Sequence, residues 1–341
     1  MQRLDELLKY IDRSSVGIEV APYFNPALPK AKGNKVLILD VFDTETLRGY
    51  AAKDPLIPPT RVMEIEDVDI VGDASSIAEM LATKQLSGQI GFVISSHNFE
   101  HLPNPIKFLR GCSAVLKPGG MLSMAVPDNR ACFDHFRMPT RLSEWLAAYH
   151  GNFTQPSAEA IFDLAANKSH FMIRGMAYPS CNIDRDAAED FVLAGDITTA
   201  YSEYLERLNG PFAYFDTHCT VMFPQTLELM LRDLKHLGLC DLEIVEVSAT
   251  YGHEFFVHLR KPLIAASDAT PSSDYKIKRA ELLRTISENL GAAPYIARPF
   301  TGGLGKKLLV NVVGKQRFDK WRNANRDRLA RNRAARASSK P

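Results

Sequence analysis

Four polar positions close apolar runs in the first third of the chain: Glu19, Asp40, Asp73 and the triplet Ser95-Ser96-His97. In an open parallel sheet, ligands bind outside the carboxyl ends of the strands. Acids placed there can accept hydrogen bonds from ribose hydroxyls or from an adenine amino group. Asp40 follows Glu19 by 21 residues, the spacing of a ribose-binding acid in dinucleotide folds. A second group of residues suits proton transfer. His135, within Asp134-His135-Phe136-Arg137, and His218, within Asp216-Thr217-His218, carry imidazoles that titrate near neutral pH. His135 is the preferred base and His218 the next.

The elements that must position these residues are legible in outline. Val16–Val20, Lys35–Asp40, Val68–Asp73, Ile90–Ser95 and Met121–Val126 are apolar runs that read as strands. Helical stretches at Ser76–Thr83 and Pro105–Val115 lie among them, and residues 1–13 read as a short helix. Pro22, Pro26 and Pro29 argue against a helix between the first two strands. Apolar strands alternating with helices imply a doubly wound, mostly parallel α/β sheet buried on both faces. Residues 130–216 break the rhythm and read as a helical insertion rich in aromatic residues, a lid over the strand ends. The pattern resumes with a helix at Gln225–Leu237 and two strands, Leu242–Val247 and Glu254–Leu259, expected to pair antiparallel at one sheet edge. These elements make residues 1–261 one domain. Residues 262–275 read as a linker, and 276–341 as an amphipathic helix followed by a basic tail.

The strongest motif runs from Phe92 to Asp128, FVISSHNFEHLPNPIKFLRGCSAVLKPGGMLSMAVPD. Its Glu100-His101-Leu102 segment, its Leu116-Lys117-Pro118-Gly119-Gly120 turn and the earlier Gly72-Asp73-Ala74 resemble a class I S-adenosyl-L-methionine-dependent methyltransferase of the type 11 kind. Phe215–Lys261 resembles the closing strands of methyltransferase-like proteins of bacterial glycan and cell-surface polysaccharide biosynthesis. The resemblance covers about residues 1–135 and 214–261, and it implies a Rossmann-like methyltransferase fold. It places Gly17, Glu19, Ala21 and Pro22 against the methionine end of the cofactor and Asp40 on the ribose hydroxyls. Asp73 and the Ala74 backbone would face the adenine, and Ser96 and His97 would line the cofactor and acceptor side. His97 and His101 stand four residues apart, but Glu-His-Leu is standard for the family without a metal and Pro103 ends the turn at once, so no metal is expected. The first motif departs from the family's acid-Gly-x-Gly-x-Gly, with no glycine between Glu19 and Gly33. The leading expectation is methyl transfer to an unidentified acceptor, a small molecule or a sugar or glycan hydroxyl. The alternative is a non-catalytic methyltransferase-like binding or scaffold module.

Composition bounds the remainder. The 341 residues carry a net charge of +1. Residues 315–341 hold ten Lys/Arg against Asp319 and Asp327, a local +8 that leaves −7 for residues 1–314. Such a tail fits an anionic membrane surface or nucleic acid, or a solvated end. Five cysteines without a C-x-x-C pair argue against a disulfide framework or structural zinc. No apolar stretch is long enough to span a bilayer and no signal peptide is apparent, so a cytoplasmic location is expected. Gly302–Lys307 has neither the first glycine nor the Ser/Thr of a phosphate loop.

Overall fold

The apolar runs pair into one seven-stranded sheet. The computed structural model describes residues 3–55, 57–186, 190–263 and 272–291. The chain divides into two units, Met1–Thr285 and Ile286–Pro341; the basic tail lies outside the described residues, and the account below concerns the first unit. The strands are β1 (Gly17–Val20), β2 (Val36–Asp40), β3 (Ile70–Val71), β4 (Ile90–Ser96), β5 (Leu116–Pro127), β9 (Glu243–Val247) and β10 (Glu254–Arg260). Their order across the sheet is β3-β2-β1-β4-β5-β10-β9. The first five pair in parallel, and β10 runs antiparallel to both β5 and β9. From β1 the chain winds one way to β2 and β3 and the other way to β4 and β5. The switch between β1 and β4 opens the crevice where such sheets hold ligands.

Alternation along the strands builds two cores. Val93, Leu122, Met124 and Phe255 face one side, in a cluster completed by α4 (Ile77–Thr83), α5 (Pro105–Val115) and α9 (Pro224–His236). Phe92, Ile94, Met121 and Phe256 face the other and meet Leu7 of the first helix segment and Leu8 just after it. That segment, α1 (Arg3–Leu7), is shorter than the stretch 1–13 expected from its leucines.

Two helices precede β3 that the apolar pattern did not announce, α2 (Thr44–Ala51) and α3 (Pro59–Val62). Asp43 caps α2 through its carboxylate and the N–H of Thr46, 2.8 Å. The insertion also departs from expectation. Beside α6 (Leu142–His150), α7 (Ala158–Asn167) and α8 (Ile197–Leu208) it contains a small antiparallel sheet. Its strands are β6 (Ser169–Ile173), β7 (Met176–Tyr178) and β8 (Phe191–Leu193), in the order β7-β6-β8. Ile173 pairs directly with Met176, and the two residues between them, Arg174 and Gly175, have φ of 50° and 80°. Two left-handed residues make the tight hairpin turn that matches strand twist. The helical pattern could not compete with that turn.

Helix α10 (Ser272–Asn289) starts within the stretch expected to be linker. Its first turns are tied to α9, since Tyr275 Oη and Arg279 Nε both donate to Asp233, at 2.7 and 3.1 Å. No helix among the described residues is long and apolar enough to cross a membrane. All five cysteines are free, and only Cys219 is not fully buried.

Candidate active site

At the carboxyl end of β1 the backbone turns through two left-handed residues, Ala21 (φ 49°) and Tyr23 (φ 50°). Each costs about 1–2 kcal/mol for a residue with a Cβ, so this loop holds without glycine a backbone shape that glycine adopts most readily. Asp40 ends the neighbouring β2. Its carboxyl is buried and pushed above its ordinary range by desolvation, partly offset by backbone N–H groups. One oxygen accepts the N–H of Phe42 at 3.0 Å. A carboxylate offers about four lone-pair sites, so Asp40 keeps capacity to accept from a diol. That acceptor beside a left-handed backbone at the sheet's switch point fits the hydroxyls of a ribose.

The other cofactor candidates divide. Asp73 caps the turn that follows it, accepting the N–H of Ser75 at 2.9 Å, and Ala74 is buried in the main core. Glu19 is buried, and its oxygens accept the N–H groups of Ala27 and Leu28 at 2.6 and 3.2 Å. It pins the loop that leaves β1. Gly17 is corrected outright: it begins β1, the end of the strand away from the crevice, roughly 10 Å from Val20 at 3.3 Å per residue. A Cβ there would lie 2.0 Å from Phe92 Cε2, so the glycine makes room for that ring.

Across the switch point, β4 leads into His97, left-handed at φ 50°, whose N–H is tied to Ala125 of β5 at 2.9 Å. A 3-10 turn then carries Glu100 and His101. Because β10 is antiparallel, its first residue sits where the parallel strands end, and Glu254 pairs in register with Pro127 of β5. Arg3 grips Glu254 with Nε and Nη2 at 2.6 and 2.9 Å, and its Nη2 also donates to Ser96 Oγ at 2.7 Å. His97 Nε2 donates to Glu254 at 2.8 Å. Burial alone would lower the His97 pKa, but the Glu254 bond and the charges of Glu100 and Glu254 outweigh it and raise the value. Burial works upward on Glu254, yet His97 and Arg3 bring it down to about 2.

The chain returning from the insertion is strapped onto the same turn. Cys219 and Thr220 both donate their N–H to the Glu100 carbonyl, at 2.7 and 3.0 Å. This brings His218 against His101, ring centroids 4.7 Å apart and perpendicular. His218 Nδ1 donates to buried Asp134, and His101 Nδ1 donates to Asp216 at 2.8 Å. Arg137 braces Asp134 at 2.7 Å, the His218 carbonyl at 3.0 Å and Asp163 of α7 at 2.7 Å. Desolvation pushes the Asp134 carboxyl up, but His218 and Arg137 hold it below the usual range.

The structure therefore gathers Ser96, His97 and His218 and adds partners that local sequence did not single out: Arg3, Glu254 and the anchoring carboxylates Asp134 and Asp216. The faint signal for Glu254 was an acid opening the apolar run EFFVHL. His135 stands apart from this cluster. Its Nδ1 donates to the Arg130 carbonyl at 2.8 Å, and its half-buried ring stacks on Phe191 of β8 at 4.2 Å and 6°.

Residues 65–124, from before β3 into β5, match the family model described as a methyltransferase domain. No curated protein sequence matches the chain. Among solved structures, a S-adenosylmethionine-dependent methyltransferase from Mesorhizobium loti has a TM-score of 0.37 and 11% identity over 74% of this chain and 95% of that one. One from Aquifex aeolicus has a TM-score of 0.36 and 14% identity, over 76% and 89%. One from Methanosarcina mazei has 0.36 and 15%, over 77% and 99%. These likenesses are too distant to assign chemistry. The domain match, together with the doubly wound sheet, supports a S-adenosylmethionine-dependent methyltransferase.

Proposed function

We propose that this protein transfers the methyl group of S-adenosyl-L-methionine to a hydroxyl of a small-molecule or glycan acceptor. The observation that carries the reading is Asp40 at the end of β2, beside the left-handed Ala21–Tyr23 turn at the switch point, in a chain whose residues 65–124 match a methyltransferase domain. The cofactor supplies an electrophilic methyl group on its sulfonium. Asp40 accepts from the ribose hydroxyls, the Ala21–Tyr23 backbone faces the methionine end, and Asp73 lies on the adenine side. What remains for the protein is to align the acceptor oxygen, exclude water and take up a proton.

His135 is the group we assign to that proton. A carbonyl can only accept, so the contact with Arg130 fixes the hydrogen on Nδ1 and leaves Nε2 as the basic nitrogen. His218 is committed elsewhere, because its Nε2 faces Glu100. A sugar or glycan acceptor suits the aromatic residues of the insertion, of which Phe136, Phe153, Tyr201 and Tyr214 are exposed. Calorimetric titration with S-adenosylmethionine and S-adenosylhomocysteine tests the reading. Binding of either supports it. Absence of binding favours a non-catalytic module, for which the observation is the glycine-free loop after β1 with Glu19 spent on its own backbone.

A further inference from the structure

Glu100 has the least ordinary surroundings of any carboxylate in the described residues. It is 0% exposed, and neither of its oxygens has a hydrogen-bond partner. A buried charge without such partners is expensive, and a protein retains one where something else satisfies it. Three imidazoles surround it without reaching it. His101 Nε2 and His218 Nε2 each stand 3.9 Å from Oε1, and His97 Nδ1 stands 3.6 Å away. These separations are too long for hydrogen bonds.

Two of these imidazoles, His101 and His218, point the same way for a chemical reason. His101 gives its Nδ1 hydrogen to Asp216 and His218 gives its own to Asp134. Each therefore turns its Nε2 toward the carboxylate, and that nitrogen offers a lone pair when the ring is neutral. Neutral rings and a carboxylate oxygen facing one another repel unless a cation, either a proton or a metal ion, lies between them. Donors from Glu100, His101 and His218 all lie within 4.8 Å of one another. Around one ion with bonds of about 2.0–2.2 Å, tetrahedral ligands sit roughly 3.4 Å apart, so closure asks for about 0.5 Å from each 3.9 Å histidine–carboxylate separation and for up to about 1.4 Å where the donors stand as far as 4.8 Å apart. Imidazoles held by carboxylates through the opposite nitrogen are also the outer arrangement that metal-ligating histidines adopt.

We propose that Glu100, His101 and His218 bind a divalent transition-metal ion of the kind that accepts imidazole and carboxylate together, such as zinc, iron or manganese. His97, held by Glu254, closes one side of the site. Three protein ligands leave a coordination position open for a water or a substrate oxygen. The ion-binding claim itself rests on geometry and not on methyl transfer.

The test uses the full chain, stripped with a chelator and titrated with Co²⁺ alone in the absence of any cofactor, then competed with Zn²⁺. The expected result is one tight equivalent with visible d–d bands that zinc abolishes. His101→Ala and His218→Ala should lose the bands. Asp216→Asn, at an exposed position where the fold is not at stake, should weaken binding about tenfold to a hundredfold. Circular dichroism checks that each variant is folded; should His218→Ala unfold, His101→Ala and Asp216→Asn carry the result. No uptake by the stripped protein, or uptake unchanged in His101→Ala, overturns the site. Cofactor titration is a separate experiment, so failure of the metal site and failure of the methyl-transfer reading are told apart.

Discussion

Glu254 and His97 are 157 residues apart in sequence and 2.8 Å apart at the rim of the crevice. One opens the last long strand and the other follows the end of a parallel one. They meet only because β10 enters the sheet antiparallel, which turns its first residue toward the carboxyl ends of β4 and β5. Arg3, from the first helix, completes the group by gripping the same carboxylate.

The Glu254 carboxyl, held at about 2 against an ordinary 4.5, stabilises the fold above its unfolded value. That stability is lost as pH falls from about 4.5 toward 2. The shift corresponds to about 3 kcal/mol at neutral pH. Glu254→Gln should therefore lose about 2–3 kcal/mol in urea denaturation at pH 7, with the gap to the parent narrowing steadily below pH 4.5. A gap that stays constant down to pH 2.5 would mean that the ion group does not carry this energy.

His258 adds to the same acid sensitivity, but through burial and not through a charged partner. Ser123 Oγ gives its hydrogen to the Leu7 carbonyl, so His258 Nδ1 donates to Ser123, at 3.0 Å, and Nε2 is buried without a partner. Burial brings the imidazole down to about 4. The unfolded chain then binds the proton first, and stability falls as pH drops from about 6.5 to about 4, by on the order of 3 kcal/mol. His258→Leu should remove that part of the pH slope. Identical slopes in variant and parent between pH 7 and 4.5 would contradict it.

Asp40→Ala should weaken binding of S-adenosylhomocysteine at least tenfold, since hydrogen bonds to a charged acceptor are worth roughly 1.5–3 kcal/mol each. The melting temperature should hardly move, because the substitution also removes a desolvated carboxyl. Unchanged affinity in calorimetry takes Asp40 out of the cofactor site.

His135→Phe keeps the stack on Phe191 and removes the basic nitrogen. Turnover of a hydroxyl acceptor should drop about 100-fold or more, while S-adenosylhomocysteine binds as in the parent. Parental turnover from pH 6 to 8 would place the base elsewhere.

Gly17→Ala should destabilise the fold by about 1–3 kcal/mol, the range for overpacking, because the new Cβ would overlap the Phe92 ring. Combining it with Phe92→Leu should restore much of the loss, and cofactor affinity should stay near the parental value in any variant that folds. A strong, selective loss of affinity in Gly17→Ala would return this glycine to the binding site.

The sequence by itself determined the sheet and the acids at its strand ends. Apolar runs such as KVLILD and IGFVIS are local signals, because a strand buried on both faces must be apolar along its length. Their order along the chain, with helices between, already implied a parallel doubly wound sheet, and two closing strands implied its antiparallel edge. Asp40 was legible for the same reason, as an acid at the end of a run. Side-chain fate was not. Glu19 and Gly17 sit in a family-like motif, but whether an acid meets a ligand or its own backbone depends on where Ala27 and Leu28 return, and the glycine depends on a ring from another strand. Only the tertiary structure decided the histidine cluster. Glu100 and His101 lie on one short turn, His218 comes back after the whole insertion, and their anchors Asp134 and Asp216 flank that insertion at its two ends. Spacing along a chain records what a helix or strand does within a few residues. It carries no measure of which distant segment closes over a buried carboxylate, and that closure is what gives this site its chemistry.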